Sequence, residues 1–303
     1  MVKPLPSETA ASAGWDLDAI VADLRRSREV LHNIRHKGSV RELPSRRALA
    51  EVVEHLSAAL FPTHFGATDL TDESIDYFVG ASLGQALSAL AEQIRRGLRF
   101  GPAQVEAETG LEAKAAEITR TFAHQLPDIR ALLVSDLQAA YEGDPAATSF
   151  AEILLSYPGV VAVLHYRLAH ALHRLGVPFL ARLISKIAHS QTGIDIHPAA
   201  EIGSGFFIDH GTGVVIGETA IIGNHVRLYH SVTLGAKRFA VDETGALIKG
   251  KPRHPIVEDD VVIYAGATVL GRITIGRGAV IGGNAWVTQD VAPGAVLLKA
   301  ASD

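Results

Sequence analysis

With no cysteine in its 303 residues, the chain has neither thiolate nucleophiles nor thiolate metal ligands, so its chemistry falls to histidines, carboxylates and hydroxyls. The candidates gather beyond residue 190: Asp195 in DIHPAA, Asp209 and His210 in IDHGTG, Arg253 and His254 in RHP. A neutral imidazole, with an ordinary pKa of about 6.5, can accept a proton at neutral pH. A guanidinium can grip a carboxylate with a forked pair of hydrogen bonds. Each residue also has a plainer reading. Asp195 can close a turn, His210 can be a surface histidine beside a glycine corner, and Arg253 and His254 can rim a loop. Asp144, before Pro145, can cap a helix. His189, His225 and His230 form a further trio of the kind that holds zinc.

A period of six positions these residues. Ile196, Ile202, Ile208, Val214, Ala220, Val226 and Val232 form one series, and Val257, Ile263, Val269, Ile275, Ile281 and Val287 a second. Neither a helix nor an ordinary strand repeats every six residues. Hexapeptide repeats do, and they coil into a parallel β-helix whose turns bury their apolar faces only against one another. Asp195 and His210 are fifteen residues apart, close to one coil of three hexads, so contact between neighbouring coils is expected. The two series are out of phase, which places an insertion at about 236–255; a polar loop this long, ending in Arg253-His254-Pro255, reads as functional.

Residues 1–190 read as a helical domain and 191–303 as the β-helix domain, an α+β chain. Leu17-Ile20-Val21-Leu24, Ala48-Val52-Val53-Leu56-Leu60 and Leu83-Leu87-Leu90 follow helical spacing. Further helices are predicted over 103–124, 127–142, 146–156, 159–175 and 177–189, with Pro127, Pro145 and Pro158 near their starts. The net charge of −5 argues against a nucleic-acid surface. The longest apolar run, Val160 to Ala171, is broken by His165, Arg167 and His170, so no membrane span is predicted. MVKPLPSETAAS lacks the apolar core of a signal peptide, and a soluble, cytoplasmic protein is expected.

DIHPAAEIGSGFFIDHGTGVVIGETAIIGNHV, then SVTLGA, then RHPIVEDDVVIYAGATVLG, closely resembles serine O-acetyltransferase over about residues 192–292, with a weaker match at Asp144-Pro145 and Tyr166–His170. The resemblance implies an N-terminal helical domain followed by a left-handed β-helix, and transfer of an acetyl group from acetyl-CoA to the hydroxyl of L-serine in cysteine biosynthesis. His210 matches the family's general base and Asp195 the carboxylate that orients it. Asp144, Asp209, Arg253 and His254 match residues that hold serine. Gly235, Ala236 and Ala265 match positions lining the pantetheine arm of acetyl-CoA, with Gly283 expected near the same groove. That groove lies between adjacent subunits, which implies a trimer, joined by the helical domains into a hexamer, and no metal cofactor.

The match also implies feedback inhibition by L-cysteine at the serine site. Two departures stand out. The insertion is longer than the short glycine-rich loop of many members, with Ala236 replacing a common glycine. The chain also ends in Ala-Ser-Asp, without the tail that docks into O-acetylserine sulfhydrylase, so no stable complex with that partner is expected. Competing readings are a hexapeptide acetyltransferase for homoserine, a sugar or an antibiotic, a γ-type carbonic anhydrase using the histidine trio, and a non-catalytic scaffold.

Overall fold

The computed structural model describes residues 15–29, 42–100, 110–239 and 241–298. The chain divides into two compact units, 1–42 and 43–303. The first contributes α1 (Leu17–Glu29), whose Leu17, Ile20, Val21 and Leu24 stripe is exposed.

In the second unit, α2 (Arg46–Leu60) starts at Ser45, whose hydroxyl accepts from the Ala48 amide, and buries Val52, Val53, Leu56 and Leu60. The short α3 (Pro62–Phe65) and the long α4 (Ile75–Leu98) follow. Where two helices are predicted to meet at Pro127, α5 (Leu111–Gly143) runs straight through. The proline costs the Ala123 carbonyl its helical partner, but a buried stripe of Phe122, Leu126, Ile129, Leu133 and Leu137 spans the position and keeps the helix continuous. Residues 103–109 of the first predicted segment lie outside the described residues. The helix predicted over 146–156 is shorter, α6 (Phe150–Ser156), because Asp144 captures the Ala146 amide in a turn and Ser149 caps from Glu152 onward. Helices α7 (Pro158–Arg174) and α8 (Pro178–Thr192) lie close to expectation, α8 stopping at Gly193 in the left-handed region. Among the described residues no helix is long and apolar enough to cross a membrane.

From Asp195 the chain winds through three parallel sheets, the faces of a prism. Face 1 stacks β1 (Asp195–Ile196), β4 (Val215–Ile216), β7 (Thr233–Gly235), β10 (Thr268–Leu270) and β13 (Trp286–Val287). Face 2 holds β2 (Glu201–Ile202), β5 (Ile221–Ile222), β8 (Ile256–Val257) and β11 (Thr274–Ile275). Face 3 holds β3 (Phe207–Ile208), β6 (Arg227–Leu228), β9 (Val262–Ile263), β12 (Val280–Ile281) and β14 (Val296–Leu297).

The register corrects the predicted series. Val214, Ala220, Val226 and Val232 are buried as expected, yet they do not continue the column of Ile196, Ile202 and Ile208. Ile196 lies against Ile216, Ile202 against Ile222 and Ile208 against Leu228, twenty residues on. Each hexad has two inward positions two residues apart, such as Phe206 and Ile208. The segment Asp209–Gly213 adds two residues between faces 3 and 1 and moves the column from one inward position to the other without exposing either. The second excess falls between faces 1 and 2, after Leu234, where the next partner column resumes at Val257. Within that long loop Val241 and Leu247 bridge antiparallel around a turn in which Asp242 accepts from the Thr244 and Ala246 amides.

Helix α7 ties the helical layer to the first coil. The Tyr166 hydroxyl donates to the Ala200 carbonyl at 2.6 Å, and His170 Nδ1 lies 2.8 Å from the Pro198 carbonyl. Arg167 donates to the carbonyls of Ile202 and Gly203, at 2.7 and 2.6 Å, and forks onto the buried Asp136 of α5. Asp136 in turn accepts from the Phe206 amide at 2.8 Å.

Candidate active site on two edges of the prism

The two excess segments flank face 1, one at its edge with face 3 and one at its edge with face 2. On the 3–1 edge, β3 ends at Ile208 and the Asp209 amide donates to the Leu228 carbonyl at 2.8 Å. His210 follows with φ 58°, in the left-handed region that few non-glycine residues occupy. Its side chain is 74% exposed, with Nδ1 3.8 Å from an Asp209 carboxylate oxygen and its ring 6.0 Å from that of His230.

Asp144, at the C-terminal cap of α5, joins this edge. Its carboxylate accepts from the Tyr157 hydroxyl at 2.6 Å and from the Ala146 amide at 2.8 Å. Those two bonds, Tyr157 first, hold its pKa below the usual carboxylate range, assisted by the Arg227 guanidinium. The same bond pushes the Tyr157 hydroxyl up to about 12, with Asp209 contributing. Tyr157 is fixed because Gly159, in the first turn of α7, rests on the Ile208 carbonyl; a Cβ there would stand 2.2 Å from that oxygen.

Along the axis from His210, the residues two beyond the paired Ile208, Leu228, Ile263 and Ile281 are His210, His230, Ala265 and Gly283. Past the two histidines this edge therefore carries two small residues, Ala265 and Gly283, beside the stacked rings of Tyr229 and Tyr264 at 4.9 Å.

Asp195 heads β1 near the same edge, but in the isolated chain its carboxylate is held by Lys186 of α8 at 2.5 Å, with His189 at 3.7 Å. No hydrogen bond or ion pair among the described residues joins it to His210.

The 1–2 edge carries the other expected residues. Gly235 and Ala236 leave β7 there, and the long loop returns at Arg253 and His254. Arg253 donates to Glu218 at 2.5 Å. The Thr219 hydroxyl accepts from the Arg253 and His254 amides, at 2.9 and 3.1 Å, and lies 2.9 Å from His254 Nδ1. Nδ1 also accepts from the Thr219 amide at 3.0 Å, so in the neutral ring the proton resides on Nε2. Burial, then the Arg253 charge, lowers the His254 pKa to about 4. His254 is therefore a neutral N–H donor beside a permanently charged guanidinium. Gly217 is what admits its ring: a Cβ there would lie 2.0 Å from Cδ2.

The chain thus gathers Asp144, Asp209, His210, Ala265 and Gly283 on one edge, and Gly235, Ala236, Arg253 and His254 on another. Sequence reasoning missed Tyr157 and Lys186, which carry no motif. It also missed Glu218 and Thr219, although both stand in the quoted GETA segment. Of the histidine trio, His189 sits by Lys186 and Asp195 and His230 by His210; no group of three metal-ligating residues is present among the described residues. Residues 299–303, on which the expectation about O-acetylserine sulfhydrylase rests, lie outside the described residues.

Residues 91–174 match the family model "Serine acetyltransferase, N-terminal" and residues 254–289 match "Bacterial transferase hexapeptide (six repeats)". The plasmid serine acetyltransferase of Synechococcus elongatus is 51% identical, the alignment covering 99% of this chain and 95% of that protein. The structure of Entamoeba histolytica serine acetyltransferase isoform 3 in complex with cysteine superposes with a TM-score of 0.71 at 35% identity, covering 94% of this chain and 91% of that one. The Neisseria gonorrhoeae serine acetyltransferase in complex with serine gives 0.53 at 30% identity, covering 82% and 93%. With a full-length relative at this identity and both layers of the fold matched, the chain belongs to the serine acetyltransferase family of acyltransferases.

Proposed function

We propose that the chain transfers the acetyl group of acetyl-CoA to the hydroxyl of L-serine, at a site made from the 3–1 edge of one copy and the 1–2 edge of the next. The observation that carries this reading is the separation itself. The base candidate and the carboxylate-gripping pair stand on different edges of one prism, and a second copy, as in a cyclic trimer, would bring them together.

In this reading His210, exposed and free to receive the serine hydroxyl, accepts its proton as the oxygen attacks the thioester carbonyl. Such help is worth about 10²–10⁴-fold. The tetrahedral intermediate then expels the CoA thiolate, which the imidazolium can protonate. Asp209 and Asp144 hold the serine ammonium group. Arg253 and the N–H of His254 hold its carboxylate, Arg253 turning from Glu218 to do so. Asp195 orients the His210 ring once Lys186 releases it. Acetyl-CoA lies along Ala265 and Gly283 of one copy and Gly235 and Ala236 of the other, where absent side chains let the pantetheine arm approach backbone.

The product, O-acetyl-L-serine, suits a following step that displaces acetate with sulfide to make cysteine. L-Cysteine, bearing the same ammonium and carboxylate, is expected to compete with serine; cysteine in the Entamoeba histolytica complex supports this. The test is CoA release from acetyl-CoA with L-serine, wild type against His210→Ala. A serine-dependent rate falling at least about a hundredfold supports the proposal. No serine-dependent release from folded protein, with homoserine or a sugar accepted instead, overturns it.

A further inference from the structure

A cavity of about 290 Å³ lies among α2, α3, α6, α7 and α8, away from both edges. Val53, Phe65, Leu154, Val161, Leu164 and Ile187 form much of its wall. Glu54 and Gln191, both exposed, are its most polar rim. The volume exceeds ordinary packing defects; apolar cavities of roughly 150 Å³ already take up benzene.

One buried polar side chain lines the cavity, His165. Its Nδ1 lies 2.8 Å from the Val161 carbonyl, an acceptor only, so Nδ1 must carry the ring proton. Burial disfavours the charged ring, which leaves Nε2 as an acceptor without a donor among the described residues. A partly open, mostly apolar pocket with one buried acceptor at its wall, and Glu54, Ser57 and Gln191 as its other polar lining residues, favours a compact, largely apolar molecule carrying one N–H or O–H toward His165.

The first turn of α7 connects the cavity to the 3–1 edge. Val160 and Val161 belong to the first turn of α7, which begins one residue after Tyr157, the donor to Asp144, and rests through Gly159 on the Ile208 carbonyl. A guest that displaces this turn by a few tenths of an ångström moves the Asp144–Tyr157 pair and the segment leading into Asp209 and His210.

We propose that this cavity is an effector site for a small, largely apolar molecule with a single N–H or O–H donor, and that its occupancy alters serine use at the 3–1 edge; the second half of this proposal rests on the function proposed above. Indole and naphthalene are the probes, similar in size and differing in the donor. Binding to the full chain is measured by titration calorimetry without acetyl-CoA or serine, and serine-dependent CoA release is then followed across the same indole range.

Indole is expected to bind saturably, and naphthalene roughly tenfold more weakly, the factor for one neutral hydrogen bond. Ala50→Leu on α2 and Val161→Leu on α7 each fill space in the cavity and are expected to abolish binding. Melting curves identify whichever variant folds, and either suffices. The KM for serine is expected to shift with a midpoint at the indole dissociation constant. No saturable indole binding, equal binding of naphthalene, or binding unchanged in a folded filling variant overturns the site. Binding with no kinetic change overturns the coupling. A wild type that binds indole and yet releases no CoA with serine sinks the acetyltransferase reading and supports the site.

Discussion

The proposed sharing of the site between copies makes a quantitative demand on mixtures of His210→Ala and Arg253→Ala chains. His210→Ala disables the 3–1 edge of its own chain and leaves the 1–2 edge intact; Arg253→Ala does the reverse. When the two chains are co-refolded at equal amounts into cyclic trimers, a site works only if an Arg253→Ala chain supplies its 3–1 edge and a His210→Ala neighbour its 1–2 edge. Each condition is met half the time, so about a quarter of the sites regain both intact edges. With each parent at about one per cent of wild type, the low end of the loss for a missing base, the mixture should run roughly twenty-five-fold above either parent. CoA release at serine well below KM is the assay, with two affinity tags to verify that mixed trimers formed. Activity that stays at the mean of the parents, in demonstrably mixed trimers, refutes the shared site. It would mean that the edge holding Arg253 and His254 is not the one that completes the edge holding His210.

Two further outcomes follow from the site's hydrogen bonds and burial. Tyr157→Phe removes the 2.6 Å bond to Asp144 and is expected to raise the KM for serine by about tenfold or less, the scale of one hydrogen bond to a charged but solvent-reachable group, with little change in kcat; an unaltered KM would show that Asp144 is not used for serine. His197 and His254, each with a pKa lowered to about 4, are neutral when folded and protonated when unfolded between pH 4 and about 6.5. Unfolding takes up protons in that window, so stability is full above about 6.5 and falls as the pH drops toward 4. Melting temperatures at pH 7 and 5 should drop more for wild type than for His254→Gln, and equal drops would contradict the neutral, Nε2-protonated state.

How much of this was legible depended on the kind of interaction. The β-helix was readable because its core repeats locally. The slip at Asp209–Gly213 was not, because two inward positions two residues apart make a two-residue insertion invisible to a count of buried aliphatics: Val214 is as buried as Ile216. The long loop was readable because its length shifts the phase by an odd number. In the helical half, Pro127 misled because the cost of one missing hydrogen bond is local, whereas the stripe from Phe122 to Leu137 that outweighs it is tertiary. The candidate site residues stand in motifs that the sequence displays. Their division between two edges was not legible, since it depends on which corner each motif turns. Tyr157 escaped for the same reason: its partner Asp144 is thirteen residues away across a turn that no periodicity marks.

The seam between α7 and the first coil has a consequence for how freely this molecule can be rewritten. Tyr166, Arg167 and His170 all reach main-chain carbonyls, those of Ala200, Ile202, Gly203 and Pro198. A carbonyl is present whatever side chain its residue bears. The instructions for docking are thus written on one partner alone: the helix must keep its three donors, while the coil can exchange outward side chains without losing its attachment. A solenoid reshaped on its outer surface for a different acceptor would still be gripped by the same helix in the same register.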